Sequence, residues 1–181
     1  RPNSLNAGSL WGRPFYILRE AWNILNAIAE GKIESGDEKK LNALKGETMA
    51  VIALCQFDLT RCFGYPYTKD NGASLGAPLI DHLVGTYENP SRSTVAQAYD
   101  FIIETLEEAV TLMSEEKNNG RMNKYAARAL LARVYLYHND NRKAFDMAEQ
   151  LIKDVDASGS YALYPHEKYV AAWSGETKFG S

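Results

Sequence analysis

A chain of 181 residues, 45% of them hydrophobic, suits one compact domain and can bury about 70% of its unfolded surface without a disulfide or metal staple. Twenty basic against 23 acidic side chains leave a net charge of −3, which offers no global field for wholesale nucleic-acid binding. Three Trp, eleven Tyr and six Phe exclude disordered, collagen-like and mucin-like chains, and the longest unbroken apolar run, Met49 to Cys55, falls far short of the ~20 residues a bilayer needs.

Helical period dominates. Ile17, Ala21, Ile24, Leu25 and Ile28 fall on one stripe and predict a helix over 14–30, with Pro14 in its first turn. Ser35 and Glu38 have capping-box spacing ahead of a second helix, 37–63. Leu41, Leu44, Val51, Ile52, Cys55, Leu59 and Cys62 form one face of it, and Met49, Ala50, Ala53, Leu54 and Phe57 carry apolar surface around the cylinder. Such a helix is buried between neighbours. Cys55 and Cys62 would lie ~10.5 Å apart along the axis, beyond disulfide reach, and both read as small buried hydrophobes.

Residues 65–92 show no sustained period and carry Pro66, Gly72, Gly76, Pro78, Gly85 and Pro90. A connection this long inside a compact domain is functional or disordered. Helical order resumes over 94–113, with Thr94 and Gln97 as a second capping box and Val95, Tyr99, Ile102, Leu106, Ala109, Val110 and Met113 as the stripe. Asn123 is the N-cap expected for a helix over 123–138, and the short break Asn139-Asp140-Asn141 makes the helix over 141–154 antiparallel to it. A short helix at 166–173 precedes a Gly-rich end.

Leu131-Ala132-x-x-Tyr135, then Asn139-Asp140, then Ala144-x-x-x-Ala148-x-x-Leu151 has the spacing of a tetratricopeptide unit. Ala132 and Ala144 let two helices approach, and Tyr135 and Leu151 fill the groove. Arg128 stands at the Trp position of the repeat and Asp156 at its terminal Pro, so the match is partial. The expected fold is all-α: a tetratricopeptide-like, right-handed array of antiparallel helix pairs with one long ordered or partly ordered loop.

Three ordered segments resemble the SusD/RagB family. Lys45-Gly46-Glu47, with Phe57-Asp58-Leu59 and Cys62-Phe63-Gly64-Tyr65-Pro66, is similar to that family's second signature helix. Arg92-Ser93-Thr94-Val95, Tyr99, Ile102-Ile103, Leu106 and Glu108-Ala109 resemble the next. Gly120-Arg121 followed by the run from Ala126 to Tyr137 resembles the third. The likeness covers about 12–153. Two departures stand out: the family's Arg after the Gly-Glu-Ala motif is missing, and Thr105 follows Glu104 where the family has Asp-Leu. Family members are much longer and begin with a lipoprotein signal and Cys; the chain, opening on Arg1-Pro2-Asn3-Ser4, is expected to be a single helical domain (1–181), either from the N-terminal half of such a protein or a reduced member of the family.

The resemblance implies non-catalytic binding of an oligosaccharide or other nutrient at the outer-membrane surface. It also implies partnership with a TonB-dependent transporter, docking through the helical array, and membrane attachment only through a lipid anchor outside this chain. The alternative is a generic tetratricopeptide-type adaptor for a peptide or protein. Flat rings suit the apolar faces of sugars, and carboxylates and amides suit their hydroxyls. The candidate ligand-binding residues are therefore Tyr65, Tyr67, Asp70, Asn71, Asp81 and Tyr87 of the long loop, with packing of Tyr65 and Tyr67 beneath their own loop as the competing reading. Trp11, Trp22 and Trp173 read as core or interdomain plugs, and His138 as a helix-end residue. Scattered His82, His138 and His166 show no zinc-site spacing, and Glu104, Glu107 and Glu108 read as a solvated helix face. No catalytic residue, metal or cofactor is expected.

Overall fold

The period-3.6 stripes fold into helices in the computed structural model, which describes residues 5–118, 120–163 and 165–174. In chain order these are α1 (Leu5–Ala29), α2 (Glu38–Phe63), β1 (Leu75–Pro78), β2 (Arg92–Thr94), α3 (Val95–Leu112), α4 (Lys124–Tyr137), α5 (Asn141–Ser158) and α6 (Tyr169–Ser174). Single 3-10 turns occupy Tyr67–Lys69 and His166–Lys168. Among the described residues the fold is all-α apart from one antiparallel strand pair inside the long loop, which pairs Leu75 with Thr94 and Pro78 with Arg92. The Gly-rich end expected after 173 lies largely outside the described residues.

Several boundaries differ from expectation, some for local and some for tertiary reasons. Pro14 sits inside α1 and not in its first turn. A proline costs the helix one hydrogen bond there, while Trp11 packs edge-on against Phe15 (5.0 Å) and against Phe63 at the end of α2 (4.8 Å), holding the preceding turn in place. Asp37, not Ser35, caps α2: its Oδ1 accepts from the Lys39 and Lys40 amides at 3.0 and 3.3 Å, and Ser35 serves only to orient Asp37. The Thr94–Gln97 capping box and the Asn123 cap form as expected. α5 runs to Ser158, past the expected 154, and stops at Gly159 in the left-handed conformation (φ 64°).

α2 is the buried member of the array. On one side Met49, Ala53 and Phe57 pack with Tyr99, Ile102 and Leu106 of α3 and with Leu131 and Val134 of α4. On the other, Ile52, Cys55 and Leu59 pack with Leu18 and Ala21 of α1 and with Ala77 and Ile80 of the loop. Burial pushes the Cys55 thiol up to about 11, with Asp58 adding to the rise. Cys62 is exposed, contrary to the expectation for both cysteines, because it lies in the last turn, where the neighbours of α2 no longer surround it.

Lys45-Gly46-Glu47 forms the joint between α2, α3 and the start of α4. A Cβ on Gly46 would lie 2.7 Å from Met113 Cγ and 2.9 Å from the Ala109 carbonyl, so only glycine permits this approach of two backbones. Lys45 Nζ reaches Glu108 at 3.1 Å. Glu47 accepts from Arg121 Nε at 2.9 Å and from the Met122 amide at 3.0 Å, and also pairs with Arg121 Nη2. The tetratricopeptide-like pair α4–α5 buries Ala144 and Tyr135. The Arg128 that replaces the repeat's Trp reaches across to Asp154 at 2.6 Å and, with Gln150, holds that carboxyl below its ordinary value. Glu107 accepts the Tyr135 hydroxyl at 2.5 Å, so two of the three α3 glutamates serve the scaffold.

Gly46→Ala is expected to overpack the α2–α3 seam and destabilise the protein by about 1–3 kcal/mol. Denaturant unfolding of the full-length protein measures this; an unchanged midpoint would contradict the close approach.

Candidate functional site

The long loop is ordered by polar clamps that its own composition does not announce. Gln56, fully buried on α2, donates from Nε2 to the Pro78 carbonyl at 3.1 Å and accepts the Ile80 amide at 3.3 Å. From α1, Trp22 Nε1 donates to the Ile80 carbonyl at 3.2 Å. Arg92 donates to the Gly76 and Leu75 carbonyls at 2.6 and 2.8 Å, closing the strand pair. Gly72, at φ +74°, turns the chain so that Ala96 N–H meets its carbonyl at 2.9 Å; a side chain there would strike Tyr67 and the Ala96 amide. The sequence alone does not single out Gln56 and gives Trp22 no partner. The legible signal was one amide side chain inside the apolar run 49–57, a position that demands a buried partner.

These clamps divide the six candidate residues into two groups on different sides of α2. Tyr65 and Tyr67 flank the end of α2, with Asp70 and Asn71 close behind. Tyr65 is 57% exposed, with Lys69 Nζ 3.0 Å from its ring centroid, a cation–π contact on one face. Tyr67 points the other way: its ring packs against His138 at 4.3 Å and edge-on to Tyr99 at 5.7 Å. It packs beneath its own loop, and it gives the His138 ring an aromatic setting as well as a helix-end position. Asp70 accepts the Ser74 hydroxyl, which with neighbouring amides holds its carboxyl below the ordinary range; it is half-buried and braces the turn. Asn71 is exposed at φ +55°, a conformation asparagine tolerates better than most residues.

Asp81 and Tyr87 belong to the second group, beside α1. Tyr87 is 96% exposed. Asp81 lies 2.6 Å from His82 Nδ1, and Glu88 lies 2.7 Å from His82 Nε2. Hydrogen bonds to Asp81 and then Glu88 raise the imidazole above its ordinary value. Between this segment and α1 runs a groove of about 500 Å³ lined by Phe15, Arg19, Ile80, His82, Val84 and Thr86, among others. A larger groove, about 660 Å³, lies at the start of α2 around Lys40, Glu47, Glu116 and Arg121 and has no aromatic side chain in its lining.

The two tyrosine groups separate by stability. Tyr67→Ala is expected to cost about 1–3 kcal/mol, less than a fully buried aromatic because the ring is only half-buried, whereas Tyr87→Ala should leave the melting temperature unchanged. Equal melting temperatures for the two variants in calorimetry would contradict this division.

Comparison with known families and structures agrees with this architecture. A SusD-like family model, described as starch-binding and associating with the outer membrane, matches residues 3–136. A crystal structure of a SusD superfamily protein from Bacteroides vulgatus is 94% identical with a TM-score of 0.94, covering 100% of this chain and 41% of that one. A SusD superfamily protein from Bacteroides thetaiotaomicron is 41% identical with a TM-score of 0.83, covering 88% of this chain and 34% of that one. A laminarin-binding SusD-like protein, 23% identical with a TM-score of 0.65 over 79% of this chain and 29% of that one, shares the fold. The chain thus spans about two fifths or less of the length of the solved structures it matches. Comparison with curated proteins yields no match. With its signature segments serving as the joint, the loop closure and the tetratricopeptide-like pair, the chain belongs to the SusD-like family.

Proposed function

We propose that this chain is a helical domain of a longer, non-catalytic protein that holds an oligosaccharide at the outer-membrane surface for a TonB-dependent transporter. The observation that carries this reading is the outward presentation of Tyr65 and Tyr87 on a loop clamped to α1, α2 and β2. A sugar ring has an apolar face of C–H bonds and a rim of hydroxyls. An exposed tyrosine covers the first, and exposed Asp81 and Asn71 meet the second. Tyr67 and Asp70 act from behind, setting the loop that carries them. The family's starch-binding, outer-membrane description supports both the ligand class and the location.

The helical array supplies the mount and the protein-facing surface. Phe145 and Ile152 of α5 are 60% and 61% exposed, on the open side of the α4–α5 pair. Apolar side chains left on the outer face of a repeat unit suit contact with another protein surface. A docked transporter would cover this side.

Glycan-array screening of the full-length protein, then calorimetry with the best ligand, tests the reading. Each stacked ring is worth about 1 kcal/mol, so Tyr65→Ala or Tyr87→Ala, according to which of the two groups the glycan covers, should weaken binding about fivefold without lowering the melting temperature. Unchanged affinity in both variants would overturn the loop as the binding surface.

A further inference from the structure

One imidazole closes the segment that walls the groove against α1. His82 touches a carboxylate with each ring nitrogen, Asp81 Oδ1 at 2.6 Å from Nδ1 and Glu88 Oε1 at 2.7 Å from Nε2. Glu88 spends its second oxygen on the Gly85 amide at 3.0 Å. A neutral imidazole carries one N–H and one lone pair, so it can donate to one carboxylate only; the other contact then sets a lone pair against an anion. Both contacts are attractive only for the imidazolium. The ring thus ties residue 81 to residue 88 and, through Glu88, to the turn at Gly85. His82, Gly85 and Thr86 all line the groove opposite Phe15.

We infer that His82 is a positioning residue, whose imidazolium straps Asp81 to Glu88 and so sets the loop wall of the α1 groove and the presentation of Tyr87. Its consequence for ligand binding rests on the glycan-binding reading above; the strap itself does not. The charged groups around the ring are few. Asp81 and Glu88 come from its own loop, and Arg19 of α1 lines the same groove, paired with Glu20 at 2.8 Å. The remaining lining residues, Phe15, Pro78, Ile80, Val84, Gly85, Thr86 and Pro90, carry no charge.

The direction with pH follows. The His82 value is raised in the folded protein, so the strap is complete below the ordinary imidazole value of about 6.5 and is lost as pH rises through the raised one. Glu88, held low by the Gly85 amide and then by His82, stays ionised throughout. The wall loosens on the alkaline side.

A histidine-labelled NMR titration of the full-length protein tests the strap without any ligand, with His82→Gln assigning the signal. His82 should titrate above about 6.5, the Gly85 amide shift should move with the same midpoint, and Glu88→Gln should bring that midpoint down. A midpoint at or below the ordinary value, or a Gly85 amide indifferent to it, overturns the inference. Calorimetry with the glycan found by array screening then tests the positioning role. Affinity should fall several-fold from about pH 6 to about pH 8.5 in the wild type and stay level in His82→Gln. Matching pH profiles in the two proteins overturn the positioning role. A protein that binds no glycan at any pH overturns the function proposed above and leaves the Gly85 result to decide the strap.

Discussion

The close approach of α2 to α3 at Gly46 is the constraint on which the rest of the structure depends. With no side chain at that position the Ala109 carbonyl and Met113 can sit against the α2 backbone. Lys45 and Glu47 on either side then reach α3 and the start of α4. Charge pairs at partly exposed positions contribute little net stability by themselves. Their role here is register: they act only when the helices are already close, and Glu47 meets a backbone amide as well as a guanidinium. Seating α2 deeply between α1, α3 and α4 makes it the mast to which the loop is fastened.

That fastening turns a segment rich in Gly and Pro into a platform. A long excursion without period would normally be the least stable part of a small domain. Here a fully buried Gln56 supplies both donor and acceptor to its middle, Trp22 of α1 donates to the Ile80 carbonyl, and Tyr67 plugs its beginning. The loop therefore presents its outward side chains from a held backbone. Pre-set geometry of this kind lowers the ordering cost of binding a flexible ligand. It also separates labour within the tyrosines, since Tyr67 supports the loop while Tyr65 and Tyr87 face solvent.

Much of the scaffold was legible because it is written in period and caps. The stripes of α2, α3 and α4, the Thr94–Gln97 box and the Asn123 cap needed only local rules, and the three signature segments pointed to the family. What stayed hidden was tertiary. Nothing local shows that Pro14 is carried inside α1 by Trp11 packing on Phe63, whereas the Asp37 cap on α2 is settled by a local competition with Ser35. The strand pair was missed because its clasp, Arg92 on the Gly76 and Leu75 carbonyls, joins residues far apart in the chain. Within the candidate site the residue types were readable and their directions were not. Tyr65 and Tyr67 look alike in sequence, yet the His138 and Tyr99 rings that separate them come from other helices. His82 was read as one of three scattered histidines, because its two carboxylates come together only when the loop folds back on itself.

Native-state hydrogen exchange of the full-length protein tests the rigid platform most directly. The amides of Gly72, Ile80, Val95 and Ala96 all donate to partners that exist only in the folded loop. Protection of these four within reach of that in the middle of α2 is the predicted result. Exchange at the rate of a free segment, while α2 remains protected, would contradict a loop held in place by its scaffold.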